Sequence, residues 1–182
     1  MSLKPQILER SVVAQTKLFS IERLRLRFQN GEEREYERLC GRRGIGSVMI
    51  VPMLDKDTVL LIREYGSGVE DYFLGLPKGA IEVEEELFVT ANRELMEEVG
   101  YGAKNFQELK PMVTSASYSS NPMRLVLAED LYPAKLQGDE PEEIEVVPWS
   151  IHRLSELIQR EDFPEARGVA ALFLVRELLH GH

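Results

Sequence analysis

The sequence predicts a domain in which β-strands and α-helices are mixed, of the α/β (α+β) class, and three observations carry that prediction. Apolar and charged residues alternate over 18–28, the turn-forming pair Asn30-Gly31 follows, and the chain returns over 35–39, which is the pattern of a β-hairpin. A continuous apolar run over 48–54 is typical of a strand that is buried on both faces. Apolar residues recur every fourth position over 85–99, which is the spacing of one helix face.

The remainder of the chain continues this mixture of elements. Further strands are predicted at 58–63, 72–76, 106–114, 123–128 and 144–148, and two closing helices at 151–159 and 165–179. Strands and helices in this order indicate a layered domain. We therefore divide the chain into an N-terminal β-sheet region, residues 1–44, and a larger domain, residues 45–182.

Composition narrows the classes of function. The 182 residues carry a net charge of -9 with a sequence pI of about 5.0, which disfavours a nucleic-acid partner and an anionic membrane surface. A small anionic substrate would need a metal ion or a local basic pocket. The single cysteine, Cys40, cannot form an internal disulfide. No apolar run is long enough for a signal peptide or a membrane span, so we expect a cytoplasmic protein.

Three carboxylates on the predicted helix 85–99 are the first candidates for chemistry. Glu94, Glu97 and Glu98 lie at i, i+3 and i+4, so their side chains share one helix face. Carboxylates held together repel each other, and a hard cation such as Mg²⁺ compensates that repulsion. Spacing alone fits an ordinary solvated acidic face equally well.

The surrounding residues resemble the signature of the Nudix hydrolases at all seven fixed identities. In order along the chain these are Gly79, Glu85, Arg93, Glu94, Glu97, Glu98 and Gly100. Tyr101 replaces the bulky aliphatic residue that usually ends the signature. Glu84 stands where many members have Gly, and Glu86 where many have Ser or Thr, so the turn and N-cap chemistry before the helix is altered.

The resemblance extends over nearly the whole chain, to the branch that hydrolyses ADP compounds and is related to the ADP-ribose pyrophosphatases. The further matching segments are 61–65, 76–79, 91–92, 115–120, 138–142 and 165–176. It implies a Nudix α/β/α sandwich with a mixed sheet, together with a small N-terminal antiparallel sheet. It also implies hydrolysis of the pyrophosphate bond of compounds such as ADP-ribose, NADH and diadenosine polyphosphates, with AMP as a product.

The resemblance assigns roles to the signature residues. Glu94, Glu97 and Glu98 would bind Mg²⁺, or Mn²⁺, together with a backbone carbonyl near Gly79. Glu85 and Arg93 would orient these ligands and so support catalysis. The metal would lower the pKa of a bound water, which then attacks phosphorus.

A further catalytic acid is expected on a loop after the signature. The loop here, residues 139–143, contains four acids, and the resemblance favours Glu142 as general base or additional metal ligand, with Glu140 second. The alternative is a solvated acidic loop without a catalytic role.

Candidate substrate contacts are less specific. Arg63 and Lys78 could contact phosphate, and the polar loop 115–121 offers Tyr118 and Ser119. Arg63 could equally be a surface residue, and the loop a plain turn. A base ring would need an aromatic partner, for which Tyr65, Tyr72 and Tyr118 are the candidates.

Related enzymes are homodimers whose N-terminal sheet contributes to the interface and to the base pocket, and the hairpin 18–39 could serve here. Two other functions remain open: hydrolysis of capped RNA ends, and a non-catalytic sensor module that binds ADP-ribose or NAD. Such sensors typically lack one or more signature carboxylates, whereas all are present here.

Overall fold

The structure, a computed structural model, describes residues 3–41 and 46–180, without the side chain of residue 180. The chain forms two compact units. Among the described residues, one comprises 3–41, 46 and 113–123, and the other comprises 47–112 and 124–180. The predicted boundary between residues 44 and 45 falls on 42–45, outside the described residues, so it stays a prediction.

A three-stranded antiparallel sheet forms the first unit, in the order β1-β2-β3. Its strands are β1 (Gln6–Gln15), β2 (Phe19–Arg27) and β3 (Glu33–Gly41). The register of β2 with β3 confirms the predicted hairpin, and Gly31 adopts a φ of 84° in the turn. Strand β1 was missed in the sequence because most of its residues are exposed on both faces, so no apolar alternation marks it.

Two further sheets belong to the second unit. One has the order β7-β4-β9-β8 and the other β10-β5-β6. The bounds are β4 (Ser47–Pro52), β5 (Thr58–Gly66), β6 (Asp71–Gly75), β7 (Lys78–Ala80), β8 (Tyr101–Val113), β9 (Pro122–Pro133) and β10 (Glu145–Ser150). The predicted strands of this unit are confirmed, and residues 48–51 are fully buried as the apolar run predicted. Strand β7 was not predicted, since its three residues include no large apolar side chain.

The central helix differs from the prediction in its second half. Helix α1 covers Leu87–Glu94 and passes into a π-helical turn, Leu95–Val99, which ends at Gly100 with a φ of 79°. The predicted apolar stripe is buried: Leu87, Ala91, Leu95 and Val99. A four-residue repeat fits both helical forms, so the sequence pattern could not distinguish them.

The C-terminal helices are also close to prediction. Residues 151–159 form a 3₁₀ turn, Ile151–Arg153, followed by the short helix α2, Leu154–Leu157, rather than one continuous helix. Helix α3 covers Ala166–His180. Within the described residues, no helix is long and apolar enough to cross a membrane.

The loop before α1 is strained where its residues depart from the Nudix pattern. Glu84 adopts the left-handed conformation with a φ of 70°, a region that glycine enters without cost. Glu86 is the N-cap of α1, and its side chain makes no capping hydrogen bond. The chain therefore lacks both the favourable turn residue and the favourable cap.

We expect Glu84→Gly to raise the free energy of unfolding by about 0.5–1 kcal/mol, because relief of the left-handed strain exceeds the entropy cost of glycine. Urea denaturation measures the change. Glu82→Gly is the matched control, since Glu82 lies in the same loop without a positive φ, and it should destabilise the protein. Equal destabilisation by both substitutions would contradict this account.

Candidate functional site

The site is built where strand β7 meets α1 and the π-helical turn. Gly79 pairs with Val48 of β4, and a Cβ at Gly79 would collide with the carboxylate of Glu94. The backbone N–H of Lys78 donates a hydrogen bond to Glu98 Oε2 at 2.9 Å. Two signature carboxylates therefore lie directly against the backbone of β7.

Arg93 joins the other signature residues to this pair. Its Nε and Nη2 donate to the two oxygens of Glu85, each at 3.1 Å. Its Nη1 donates to Glu94 at 2.8 Å and to Glu97 at 3.1 Å. The bidentate pair with Glu85 fixes the plane of the guanidinium, and the pKa of Glu85 is lowered by it.

Burial makes the carboxylates of this network costly to ionise. Glu94 and Glu98 are 9% and 4% exposed. Burial raises the pKa of Glu94, with Arg93 opposing, and raises that of Glu98 to about 8, with Lys78 opposing. Additional positive charge at this point would therefore favour the ionised forms.

The three predicted metal ligands, Glu94, Glu97 and Glu98, lie next to one another, but their carboxylates are not arranged around a common point. Among the described residues, no group of three or more His, Cys, Asp or Glu side chains is arranged to hold a metal ion. One oxygen of Glu94 and one of Glu97 face Arg93, and one of Glu98 faces the Lys78 amide. A set of carboxylate oxygens fits the chemistry of a hard divalent cation.

Glu64 is a residue of this site that the sequence analysis did not select. It lies in β5 two positions after the buried apolar run, and its carboxylate pairs with the Lys78 ammonium. Its charge contributes to the raised pKa of Glu98. The signal that could have identified it is the polar pair Arg63-Glu64, which follows four buried residues of a strand.

The acidic loop lies close to this cluster. Gly138 is packed against Glu97, since a Cβ at Gly138 would lie 3.4 Å from the Glu97 Cβ. Burial raises the pKa of Glu140, and the charges of Asp139, Glu64 and Glu97 add to the effect. Glu142 instead accepts a hydrogen bond from the Tyr72 hydroxyl at 2.6 Å. The loop thus presents two acids in different environments.

A cavity of about 320 Å³ lies beside the loop, a volume within the range of ligand pockets. Its lining includes Arg63, Glu64, Tyr65, Tyr72, Glu140 and Glu142. Arg63 is already paired with Glu145 at 3.1 Å and with Asp162 at 3.0 Å. Arg160 and then Arg63 lower the pKa of Asp162 to about 2. A phosphate would have to compete with these carboxylates for the Arg63 guanidinium.

Tyr118 and Ser119 lie in the other compact unit. Residues 115–119 form a turn, and Leu39 N–H donates to the Tyr118 carbonyl at 2.7 Å. Ser119 Oγ accepts a hydrogen bond from Asn121 N–H at 3.2 Å, and Tyr118 is 69% exposed. These contacts are those of a turn, and a role in substrate binding stays a prediction.

Comparison with known proteins agrees with the signature. The family model of the NudE-type Nudix hydrolase N-terminal domain matches residues 5–38, and the family model of the NUDIX domain matches residues 45–173. Together the two models cover both units of the chain.

Comparison of the chain with individual proteins indicates the same family. The ADP compounds hydrolase NudE of Escherichia coli (strain K12) is 48% identical over 98% of this chain and 95% of its own length. A crystal structure of an ADP compounds hydrolase matches with a TM-score of 0.88 and 46% identity, covering 100% of this chain and 97% of that one. The ADP-ribose pyrophosphatase of Bacillus subtilis (strain 168) is 27% identical over 70% of each chain.

We expect Gly79→Ala to lower the free energy of unfolding by about 1–3 kcal/mol, because the new methyl group displaces the Glu94 carboxylate. Gly68→Ala is the matched control, since a Cβ there meets no atom within 4 Å. Thermal denaturation of both variants measures the difference. If alanine is tolerated equally at the two positions, the close contact between Gly79 and Glu94 is refuted.

Proposed function

Because the chain belongs to the Nudix hydrolase family, we propose that it hydrolyses the pyrophosphate bond of ADP-linked compounds and releases AMP. ADP-ribose, NADH and diadenosine polyphosphates are the substrates of this class. The observation that carries the proposal is the network in which Arg93 binds Glu85, Glu94 and Glu97 in a single cluster. The name of the Escherichia coli relative supports the choice of ADP compounds.

Members of the family generally use a divalent metal, and we assign Mg²⁺, with Mn²⁺ as a substitute, to this chain. Glu94, Glu97, Glu98 and the carbonyl of Gly79 would hold it. When bound, the metal neutralises phosphate charge and lowers the pKa of a coordinated water. Binding of the metal would require Arg93 to share Glu94 and Glu97 with the cation. The bidentate pair of Arg93 with Glu85 would keep the guanidinium in place.

The residues of the chain have three kinds of role: they orient the metal ligands, bind phosphate or accept a proton. Glu85 and Arg93 orient the carboxylates. The Lys78 ammonium, held by Glu64, supplies positive charge for a substrate phosphate. Glu142 accepts the proton of the attacking water, and Glu140 is the alternative base. Nearness to the charges of Asp139, Glu64 and Glu97 supports Glu140, and the hydrogen bond from Tyr72 at the cavity supports Glu142.

Substrate binding is assigned to the cavity beside the loop. Tyr65 and Tyr72 present aromatic rings there, which could contact a base. Arg63 would bind phosphate after exchanging its present carboxylate partners. Tyr118 and Ser119 are assigned to the substrate from the resemblance alone.

The N-terminal region, residues 1–44, is proposed to form a homodimer interface and to contribute to the base pocket. Its sheet carries exposed apolar side chains that a second copy of the chain would cover, among them Phe19 and Leu39. These two share one face, because Leu39 pairs with Ile21, two residues beyond Phe19 on the same strand. Burial of such side chains is the usual driving force of homodimer formation.

Sedimentation velocity is expected to give a mass of twice 20.8 kDa. Phe19→Asp should shift the protein towards the monomer, since it places a charge among these apolar side chains. Leu174→Asp on α3 is the control, at another partly exposed apolar residue. A monomeric wild-type protein would refute the dimer.

The hydrolase proposal predicts AMP release from ADP-ribose in the presence of Mg²⁺, and its loss with a chelator. Glu97→Gln should lower kcat at least about 100-fold, because it removes a charge from the proposed metal site. Glu86→Gln is the control, since Glu86 is an exposed carboxylate at the start of the same helix. Chromatography of the products of each reaction measures the rates.

Binding of ADP-ribose without any AMP release would overturn the hydrolase proposal and favour a sensor module. Release that continues in the chelator would instead refute the metal assignment. NADH and diadenosine triphosphate, assayed in the same way, rank the substrates.

A further inference from the structure

The acidic loop has no regular structure to hold it. Residues 137–144 form neither helix nor strand. Four acids are concentrated here: Asp139, Glu140, Glu142 and Glu143. Their mutual repulsion, and that of the nearby Glu97 and Glu64, favours displacement of the loop away from the cluster. A contact with a rigid element would oppose this displacement.

The side chain of Tyr72 makes such a contact. In the described structure, Glu142 is the one acid of this loop whose carboxylate accepts a side-chain hydrogen bond, from the Tyr72 hydroxyl at 2.6 Å. A hydroxyl that donates to a charged carboxylate at this distance forms one of the stronger kinds of hydrogen bond. The bond spans 70 positions of sequence, so it ties the loop to a distant strand.

Tyr72 is half-exposed, and contacts with β5 orient it. It lies in β6 opposite Tyr65 of β5 in the antiparallel register. The two rings meet edge to face, with centroids 5.6 Å apart and planes at 71°. Strand pairing and ring packing together limit the directions in which the hydroxyl can point, so the acceptor is confined as well.

We propose that Tyr72 is a positioning residue whose hydroxyl holds Glu142 in place at the edge of the cavity. The inference rests on the proposed catalytic role of Glu142. The hydroxyl of Tyr72 acts through Glu142 and not on the substrate, so its removal affects turnover and not substrate affinity. The ring alone would suffice for packing against Tyr65 or for contact with a base.

The test compares Tyr72→Phe, which removes only the hydroxyl, with Tyr132→Phe, the same chemical change on β9 outside the site. With ADP-ribose and Mg²⁺, Tyr72→Phe should lower kcat about tenfold with KM changed less than twofold. Tyr132→Phe should alter neither constant by more than twofold. In the Glu142→Ala background, Tyr72→Phe should cause no further loss, because the two residues act in one chain of contacts.

A second measurement does not depend on catalysis. Hydrogen–deuterium exchange of the peptide covering 137–144 should become faster in Tyr72→Phe and stay unchanged in Tyr132→Phe. Unchanged exchange and unchanged kcat in Tyr72→Phe would overturn the inference, as would a raised KM at constant kcat, which indicates direct substrate contact.

Different outcomes refute the positioning role of Tyr72, the catalytic role of Glu142 and the proposed hydrolase function. If Glu142→Ala retains full activity, the catalytic role of Glu142 is refuted, and the positioning role with it, even where the loop exchanges faster. If Glu142→Ala abolishes turnover and Tyr72→Phe changes neither kcat nor exchange, only the positioning role is refuted. If the wild-type protein releases no AMP, the proposed function fails and the positioning role falls with it.

Discussion

The absence of a side chain at Gly79 allows the Glu94 carboxylate to lie against strand β7, and the arrangement of the site depends on this contact. The same short strand donates the Lys78 amide to Glu98, so two carboxylates are placed by backbone atoms rather than by flexible side chains. Strand β7 is in turn held by β4, whose residues 48–51 are fully buried. The packing of the buried strand β4 therefore determines, through β7, where Glu94 and Glu98 lie.

Charge is the second constraint. Glu94 is buried close to Glu97 and Asp139, and Glu98 is buried close to Glu64 and Glu94. Among the described residues, Arg93 is shared among three carboxylates, and Lys78 is paired with Glu64. Buried carboxylates whose charge is only partly neutralised lower the free energy of unfolding. Such groups are found chiefly at functional sites. A divalent cation, as the Nudix family generally uses, would supply the missing positive charge and would also attract the diphosphate of a substrate.

The sequence predicted the parts of the structure that strong local patterns encode. The hairpin, the buried strand β4 and the stripe of Leu87, Ala91, Leu95 and Val99 follow from periodicity, and the Arg93 network follows from the signature. Strand β1 escaped prediction because it is exposed, and β7 because it is short and lacks large apolar residues. The pair of Glu64 with Lys78 and that of Tyr72 with Glu142 join residues 14 and 70 positions apart, and such partners are set by tertiary folding, which no local pattern encodes.

The crowded carboxylates are proposed to form a divalent cation site, and a binding isotherm tests this claim without reference to turnover. Isothermal calorimetry with Mg²⁺, and separately with Mn²⁺, should show saturable binding to the wild-type protein. Glu98→Gln should weaken that binding at least about tenfold, because it removes a buried ligand charge, whereas Glu86→Gln should leave it unchanged. No detectable binding, or binding that Glu98→Gln does not weaken, would contradict the claim.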